Sequence, residues 1–283
     1  MVTGDGAMSL IVMAASVIGV AALSIGLLWL GRRSPWNERF AGEVRAHDEA
    51  FEFLGTAYAV LLAFVVVQAY TSYDDAKSGA EVEAEAVLQL SRTAEAFDPS
   101  QLERLEGVLV CYGRAVIHHA WPAMEQQMAS PVVNDWGTRF RQEALRSQLH
   151  SFVQRASFRQ LLQEQDQRIE GRRNRLAEAI RVVPSPLWLV LALGAFLTIG
   201  WVVLASSARG SFLVQAAVVA SVAAMVASVL LLVWFLDHPF GDHSGAIAPT
   251  EMEHALETIA EEEDDQGIDV APPCTSAGDP APA

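Results

Sequence analysis

Four long apolar segments constrain the fold of this 283-residue chain more than any other feature. They cover residues 9–30, 51–70, 186–206 and 211–236, and their only charged residue is Glu52. A helix needs about 20 apolar residues to cross a bilayer core, and a charge at mid-membrane costs about 2.5 kcal/mol or more. The sequence therefore predicts four transmembrane helices in an integral membrane protein. Residues 1–8 contain no Lys or Arg, so we expect the first segment to stay as an anchor and not to be cleaved as a signal peptide.

The segments between the spans read as helical, and no strand pattern is present. Apolar residues recur at helical spacing over 73–97, 99–127, 133–152 and 157–183, and no turn signal separates the second span from the first of these helices. The fold class is therefore all-α, and the second span is expected to continue as one long helix. The predicted divisions are an N-terminal tail (1–8), a transmembrane hairpin (9–71), a helical extramembrane domain (72–185), a second transmembrane hairpin (186–236), a C-terminal segment (237–256) and an acidic tail (257–283).

The tail has an unusual charge composition. From Gly210 to Ala283 there are twelve acidic residues and no Lys or Arg, and the chain ends in a stretch rich in Pro, Ala and Gly. This composition is typical of disorder, and it excludes nucleic acid and anionic lipid as partners of the tail. Cys111 and Cys274 match neither a disulfide framework nor a metal-binding spacing.

Basic residues give a nearly balanced prediction of membrane orientation. Arg32, Arg33, Arg39 and Arg45 crowd the short first loop, which would place that loop in the cytoplasm and the helical domain outside. Arg209 adds a fifth basic residue on the side of that loop. Six basic residues near the ends of the helical domain oppose them, namely Lys77, Arg168, Arg172, Arg173, Arg175 and Arg181.

Charged residues of the helical domain form two candidate surfaces. Glu81, Glu83 and Glu85 form an acidic stretch after the second span, and Glu81 and Glu85 share one helix face. The stretch is expected to be solvated with Arg partners or to ring a cation-binding vestibule. Arg168, Arg172 and Arg175 form a stripe on the last helix of the domain. The stripe could pair with Glu81 and Glu85, line an anion path or contact lipid phosphates, and pairing within the bundle is the preferred interpretation.

The last span ends in the sequence LDHPFGDHSG, residues 236–245. His238, Asp242 and His243 have the chemistry of metal ligands, but their spacing matches no standard site. We expect instead a helix end at the headgroup level, with Asp237 facing water and Phe240 in the interfacial aromatic belt. No nucleophile–base set, phosphate loop or buried acid within a span is present, so the sequence predicts no enzyme, no cofactor and no proton pump.

Four segments of the chain resemble the bestrophin-like domain family, membrane proteins of bacteria and plants without an assigned activity. They are LGTAYAVLLAFVVVQAYTSYDDAKSGAEVEAEAVLQLSR (54–92), CYGRAVIHHAWPAM (111–124), RRNRLAEAIRVVPSPLWLVLALGAF (172–196) and FLDHPFGDHSGAIAPTEMEHAL (235–256). The family usually has Glu before Trp-Pro, whereas Ala120 occupies that position here. The resemblance makes Asp237, Pro239 and Phe240 a family signature that follows the last span.

The family name implies a distant likeness to bestrophins, which are pentameric anion channels with paired spans and a large cytosolic helical domain. The resemblance therefore implies a cytoplasmic helical domain and a location in the bacterial inner membrane. One hypothesis is a membrane-anchored scaffold whose bundle and tail bind another protein. The alternative is a homo-oligomeric channel for small anions whose path is lined by the second span. The candidate pore or motif residues are Phe64, Gln68, Thr71, Glu85, Arg92, Trp121, Pro122, Arg172, Arg175, Asp237, Pro239 and Phe240.

Overall fold

The structure, a computed structural model, describes residues 4–33, 48–180, 183–206, 211–241, 243, 245–268 and 270–281. Within them the chain forms nine α-helices and one π-helical segment, and the only β pairing is an isolated bridge between Cys274 and Pro280. The helices are α1 (Gly4–Arg33), α2 (Asp48–Ala94), α3 (Pro99–Ala115), α4 (Trp121–Glu125), α5 (Pro131–Leu145), α6 (Phe152–Ala177), α7 (Ser185–Ser206), α8 (Phe212–Leu236) and α9 (Thr250–Gln266). The all-α prediction is confirmed.

Four of these helices are long and apolar enough to cross a membrane. The qualifying stretches are Leu10–Arg33, Phe51–Ala94, Ser185–Ser206 and Phe212–Leu236, which agree with the four predicted spans. Helix α2 is 47 residues long, so the prediction that the second span continues as one helix is also confirmed.

The chain divides into two compact units. The membrane unit comprises Met1–Ser72, Arg181–Asp237 and Asp242–Ala246. The helical bundle comprises Tyr73–Ile180, His238–Gly241 and Ile247–Ala283.

In the membrane unit, α7 and α8 pack together and the other two spans pack on them. One apolar cluster joins Leu28 of α1 to Val203 of α7 and Val219 of α8. A second cluster joins α2 to α7 and α8. Helix α2 approaches α7 closely at Gly194, where a β-carbon would overlap the ring of Tyr58. Small residues allow such close packing of helices in a membrane.

The core of the helical bundle is formed by α2, α3, α5, α6 and α9. Its largest fully buried apolar or aromatic side chains are Leu90, Leu105, Leu109, Tyr112, Trp136, Phe140, Leu161 and Ile259. Between α3 and α4, residues Val116–Ala120 form a π-helical turn. Pro122 lies just beyond it and has no N–H to donate to the preceding turn, which accounts for the wider π geometry. The predicted helix 99–127 is therefore observed as α3, the π-turn and α4.

Three predicted helix boundaries are wrong, among them the end of the helix predicted over 157–183, which ends at Ala177. The helix predicted over 133–152 ends at Leu145, and α6 begins at Phe152, earlier than the predicted residue 157. Ser151 and Gln154 form a capping box: the Gln154 backbone N–H donates to the Ser151 hydroxyl oxygen over 3.0 Å, and the Ser151 N–H donates to the Gln154 side chain over 3.2 Å. This cap fixes the start of α6 at a point where the apolar spacing alone gives no signal.

The predicted disorder of the tail is not confirmed. Helix α9 continues through the acidic run to Gln266, and residues 270–281, here called the C-terminal strap, lie against α3. Met252, Ala255 and Ile259 recur at helical spacing and are buried, while the acidic residues occupy the exposed and half-buried positions of the same helix. The charge of the run therefore belongs to the solvated face of an amphipathic helix.

Cys111 and Cys274 form a disulfide across a sequence separation of 163 residues. The prediction that the cysteines match no disulfide pattern is thus corrected. Their pairing follows from the packing of the strap on α3, and the spacing of the cysteines along the chain carries no information about it.

Candidate functional site

The signature after the last span begins with a buried carboxylate. Asp237, in the membrane unit, is only 3% exposed and accepts a hydrogen bond from the Val183 backbone N–H over 2.8 Å. The Trp188 indole nitrogen lies 3.4 Å from its second oxygen. The expectation that Asp237 faces water is therefore wrong, because its carboxylate is buried. Its hydrogen bond to Val183 links the end of α8 to the chain segment that leads into α7.

The remaining signature residues belong to the helical bundle. Phe240 is buried and meets Trp121 edge to face, with ring centroids 5.9 Å apart. The Pro239 carbonyl accepts the Ile247 N–H over 2.8 Å, and the Trp121 indole donates to the Ile247 carbonyl over 2.6 Å. The predicted place of Phe240 in an interfacial aromatic belt is therefore wrong, since its ring packs inside the bundle.

Trp121 also connects the signature to a buried ion pair. Its ring lies under the guanidinium of Arg175, 4.8 Å from the ring centroid. Arg175 donates from Nε to Glu83 Oε2 over 2.7 Å, and both side chains are almost completely buried. The Tyr112 hydroxyl donates to the other oxygen of Glu83. Both carboxylate oxygens of Glu83 therefore have a donor, which a buried charge requires.

The ion pair lies at a close crossing of α2 and α6. A β-carbon at Gly79 would lie 2.6 Å from the backbone nitrogen of Arg175, and one at Gly171 would lie 2.6 Å from that of Glu83. Each glycine thus precedes one charged residue by four positions and makes room for the backbone of the other. The absence of two side chains brings the helices close enough for Glu83 and Arg175 to meet directly.

The other arginines of the predicted stripe have separate contacts. Arg168 is 3% exposed, donates to Gln165 over 3.1 Å and lies 4.2 Å from the ring centroid of Tyr112. Burial raises the pKa of Tyr112, the nearby Arg168 charge lowers it, and Glu83 raises it again. Arg172 donates to Asn134 over 2.8 Å. Pairing within the bundle is therefore observed for Arg175, but its partner is Glu83 and not the predicted Glu81 or Glu85.

The structure does not bring every candidate residue to this cluster. Glu85 accepts a hydrogen bond from Gln89 on the same helix over 2.7 Å, at an exposed position. Arg92 pairs with Glu262 of α9 over 2.6 Å. Pro122 follows Trp121 and shapes the π-turn. Phe64, Gln68 and Thr71 belong to the membrane unit and lie on an exposed face of α2.

Sequence reasoning missed Tyr112 and the two glycines of the crossing, and it treated Glu83 as part of a solvated acidic stretch. A signal for three of these residues was present, since GAEVE (79–83) and GRRNR (171–175) both place a charged residue four positions after a glycine. A glycine on a helix face allows a second helix to approach closely. The sequence alone does not indicate that these two segments pack against each other.

One histidine of the C-terminal segment, His243, has aromatic surroundings. His243 lies against Phe235 and Trp234, with ring centroids 4.9 and 5.8 Å apart. Asp242, considered above as a metal ligand, lies outside the described residues. Among the residues that are described, no group of three or more His, Cys, Asp or Glu side chains is placed to hold a metal ion.

Comparison with known proteins identifies the family of this chain. The sequence profile of the bestrophin-like domain matches residues 18–246. The chain belongs to the bestrophin-like domain family. No curated protein matches the chain.

Solved structures of a bacterial bestrophin homologue from Klebsiella pneumoniae have the same fold. One variant of that protein is 16% identical in sequence, with a TM-score of 0.68 over 90% of this chain and 98% of the other. A structure phased with zinc is 17% identical, with a TM-score of 0.67 over 89% and 99% of the two chains. A further variant has a TM-score of 0.70 at 14% identity, over 87% and 98%. This bestrophin-like chain therefore has the bestrophin fold over nearly its whole length.

Proposed function

We propose that this membrane protein is a homo-oligomeric channel of the bacterial inner membrane, with a path for small anions along the exposed face of α2. Membership of the bestrophin-like family and the shared fold support this proposal. The observation that carries it lies in the second span, where the candidate residues Phe64, Gln68 and Thr71 are all uncharged.

The span part of α2 has two different faces. Tyr58, Leu62, Val65 and Ala69 are buried against the other spans. Phe64, Gln68 and Thr71 are exposed on another side, and Phe64 is 72% exposed. The Thr71 hydroxyl donates a hydrogen bond to the Val67 carbonyl over 3.0 Å. Within the described parts of the chain, the Gln68 side chain makes no hydrogen bond.

An unpaired amide next to lipid tails is costly, since the tails offer it no hydrogen bond. Water in an axial path or a neighbouring subunit would satisfy Gln68. Phe64 lies one helical turn away on the same face and would form an apolar constriction beside it. A face with two neutral polar residues and one aromatic ring fits a path shared between subunits better than a face turned to lipid.

The first test is the subunit number of the purified full-length protein, measured by light scattering in detergent. We expect a closed ring of four or more subunits, because a central path needs several copies of α2 around one axis. A monomer or dimer would overturn the proposal.

The second test is chloride flux in liposomes. We expect Phe64→Ala to increase flux several-fold, because it widens the proposed constriction. The matched control is Phe196→Ala on α7, since Phe196 is also 72% exposed but lies on a different span. Equal flux in both variants and the parent, or a reversal potential that follows the cation gradient, would contradict an anion path along α2.

A second candidate function is a membrane-anchored scaffold. Exposed apolar side chains on one face of α6 of the helical bundle favour it, namely Leu162 and Ile169. An exposed apolar surface outside the spans is typical of a protein-binding site. A ring that conducts no ion but binds a partner through this surface, with binding lost in Leu162→Asp, would support the scaffold instead.

A further inference from the structure

The C-terminal strap rests on a row of small residues of α3. Gly107, Cys111 and Ala115 are spaced four residues apart and are buried. A β-carbon at Gly107 would lie 3.3 Å from the Pro273 ring, Cys111 is bonded to Cys274, and Gly278 lies directly against the backbone of Ala115. The strap therefore follows one face of the helix for two turns.

Several polar contacts hold the strap independently of the disulfide. The Trp136 indole donates to the Gly278 carbonyl over 2.7 Å, and Arg114 donates to the Thr275 carbonyl over 3.4 Å. His119 lies 3.2 Å from the Asp279 carboxylate. These contacts hold Cys274 next to Cys111, so the packing of the strap brings the two thiols close enough to be oxidised to a disulfide.

A disulfide of this kind indicates the compartment in which the bundle folds. Disulfides persist in oxidising compartments such as the bacterial periplasm and are rare in the cytosol, where thiols are kept reduced. Formation of the bond removes two protons and two electrons from the two thiols. A thiol–disulfide oxidant of the cell envelope would accept them, and its own disulfide would be reduced to a dithiol.

The distribution of basic residues gives an independent argument. Orientation follows the Lys and Arg content of short loops, of up to about 60 residues, whereas longer segments cross the membrane largely regardless of charge. The first loop is short and contains Arg32, Arg33, Arg39 and Arg45, and the short connection at 207–210 contains Arg209. The basic residues that opposed them belong to the long helical segment, so they count for little.

With four spans, the N-terminus, the helical bundle and the C-terminal segment all lie on the side opposite those two connections. Residues 1–8 and 210–283 contain no Lys or Arg. The short-loop rule therefore places the two connections in the cytoplasm and the other three regions outside it, in agreement with the disulfide.

We infer that the helical bundle lies on the periplasmic side of the inner membrane, where oxidation of Cys111 and Cys274 fastens the strap to α3. This orientation is opposite to the cytosolic domain implied by the likeness to bestrophins. It is independent of the proposed channel, which could conduct in either orientation.

The first experiment measures the cysteines of the unmodified full-length protein. Cells are quenched with acid to prevent later oxidation, and the protein is treated with a maleimide mass tag before or after reduction. Cys111 and Cys274 are the only cysteines of the chain. We expect no tag without reduction and two tags after it, with free thiols increasing in a host that lacks its periplasmic thiol oxidase. Two tags without prior reduction in the normal host would overturn the inference.

The second experiment measures orientation directly. In a background of Cys111→Ala and Cys274→Ala, single cysteines are introduced as Gln126→Cys, at the exposed residue that follows α4, and as Ser34→Cys in the first loop. A membrane-impermeant maleimide is applied to intact spheroplasts and to lysed ones. We expect the Gln126→Cys protein to be labelled in intact spheroplasts and the Ser34→Cys protein only after lysis. The reverse pattern would overturn the inference. If the protein without Cys111 and Cys274 does not accumulate in cells, the same two single cysteines are added to the parent chain and the labelling is repeated.

Discussion

The membrane unit and the helical bundle bury very different side chains. Among the described residues, the bundle buries Glu83, Glu106, Glu164, Arg168 and Arg175, whereas Asp237 at the end of α8 is the only buried charged residue of the membrane unit. The spans are held by apolar contacts and by small residues such as Gly194. The bundle adds a buried ion pair, a disulfide and tyrosine and tryptophan hydrogen bonds.

This difference has a physical cause. Spans in a bilayer gain little by removing apolar side chains from lipid, so they depend on close van der Waals packing, which many apolar sequences can provide. Buried charges in the bundle must meet one specific partner, and the loss of either partner leaves an uncompensated charge. We therefore expect the bundle to be far more sensitive than the spans to single substitutions at its helix contacts.

Removal of Arg175 should have the largest effect. Arg175→Ala leaves the buried Glu83 carboxylate without its cation and should lower the free energy of unfolding by about 3–5 kcal/mol. Urea unfolding of the detergent-solubilised protein, followed by tryptophan fluorescence, measures this change. The matched control is Arg92→Ala, which breaks a pair that is 42% and 32% exposed and should cost no more than about 1 kcal/mol.

A double substitution sharpens the same prediction. Glu83→Gln combined with Arg175→Met removes both charges and should cost less than Arg175→Ala alone. Equal losses for Arg175→Ala and Arg92→Ala would show that the buried pair is not special and would remove the contrast between the two units.

A side chain at the crossing of α2 and α6 should have the next largest effect. Gly79→Ala adds a methyl group 2.6 Å from the backbone of Arg175, so the helices must separate, at a cost of about 1–3 kcal/mol. Gly55→Ala is the control on the same helix, because a β-carbon there meets nothing within 4 Å. We expect no loss of stability in Gly55→Ala. A comparable loss in both variants would point to a general effect on α2 and not to the crossing.

The smallest effect concerns Glu106 of the bundle. Its side chain is 4% exposed, accepts a hydrogen bond from Ser91 over 2.6 Å, and leaves its second oxygen buried without a hydrogen bond in the described structure. Burial raises the pKa of Glu106, the Ser91 hydrogen bond lowers it, and the nearby charges of Glu95 and Glu262 raise it. Between the ordinary glutamate pKa and this raised pKa, the folded protein therefore retains a proton that the unfolded chain releases.

A raised carboxyl pKa makes the folded state less stable as the pH rises from the ordinary glutamate pKa, about 4.3, to the raised value in the fold. Glu106→Gln keeps the acceptor for Ser91 and removes this penalty. Its melting temperature should exceed that of the parent at neutral pH, and the difference should shrink as the pH falls through this window. The control is Glu103→Gln, an exposed position on the same helix. A pH-independent difference would contradict the proposed protonation.

The parts of the fold that follow from local sequence were predictable. The four spans are uncharged beyond Glu52, and the long α2 lacks any turn signal after Tyr70. The partner of Arg175 was not predictable in this way, because the contact of Gly79 with α6 sets which acid of α2 faces the arginine. The tail was misjudged because its acidic residues dominate the composition, whereas three buried residues of α9 decide its structure.

The disulfide has a topological consequence. It joins residues 163 positions apart, and the chain between them contains both α7 and α8. Oxidation therefore converts this part of the molecule into a covalent ring that passes twice through the bilayer. A protease that cuts the ring once would leave every piece attached, so the oxidised protein would keep its C-terminus after a nick that releases the C-terminus of the reduced protein.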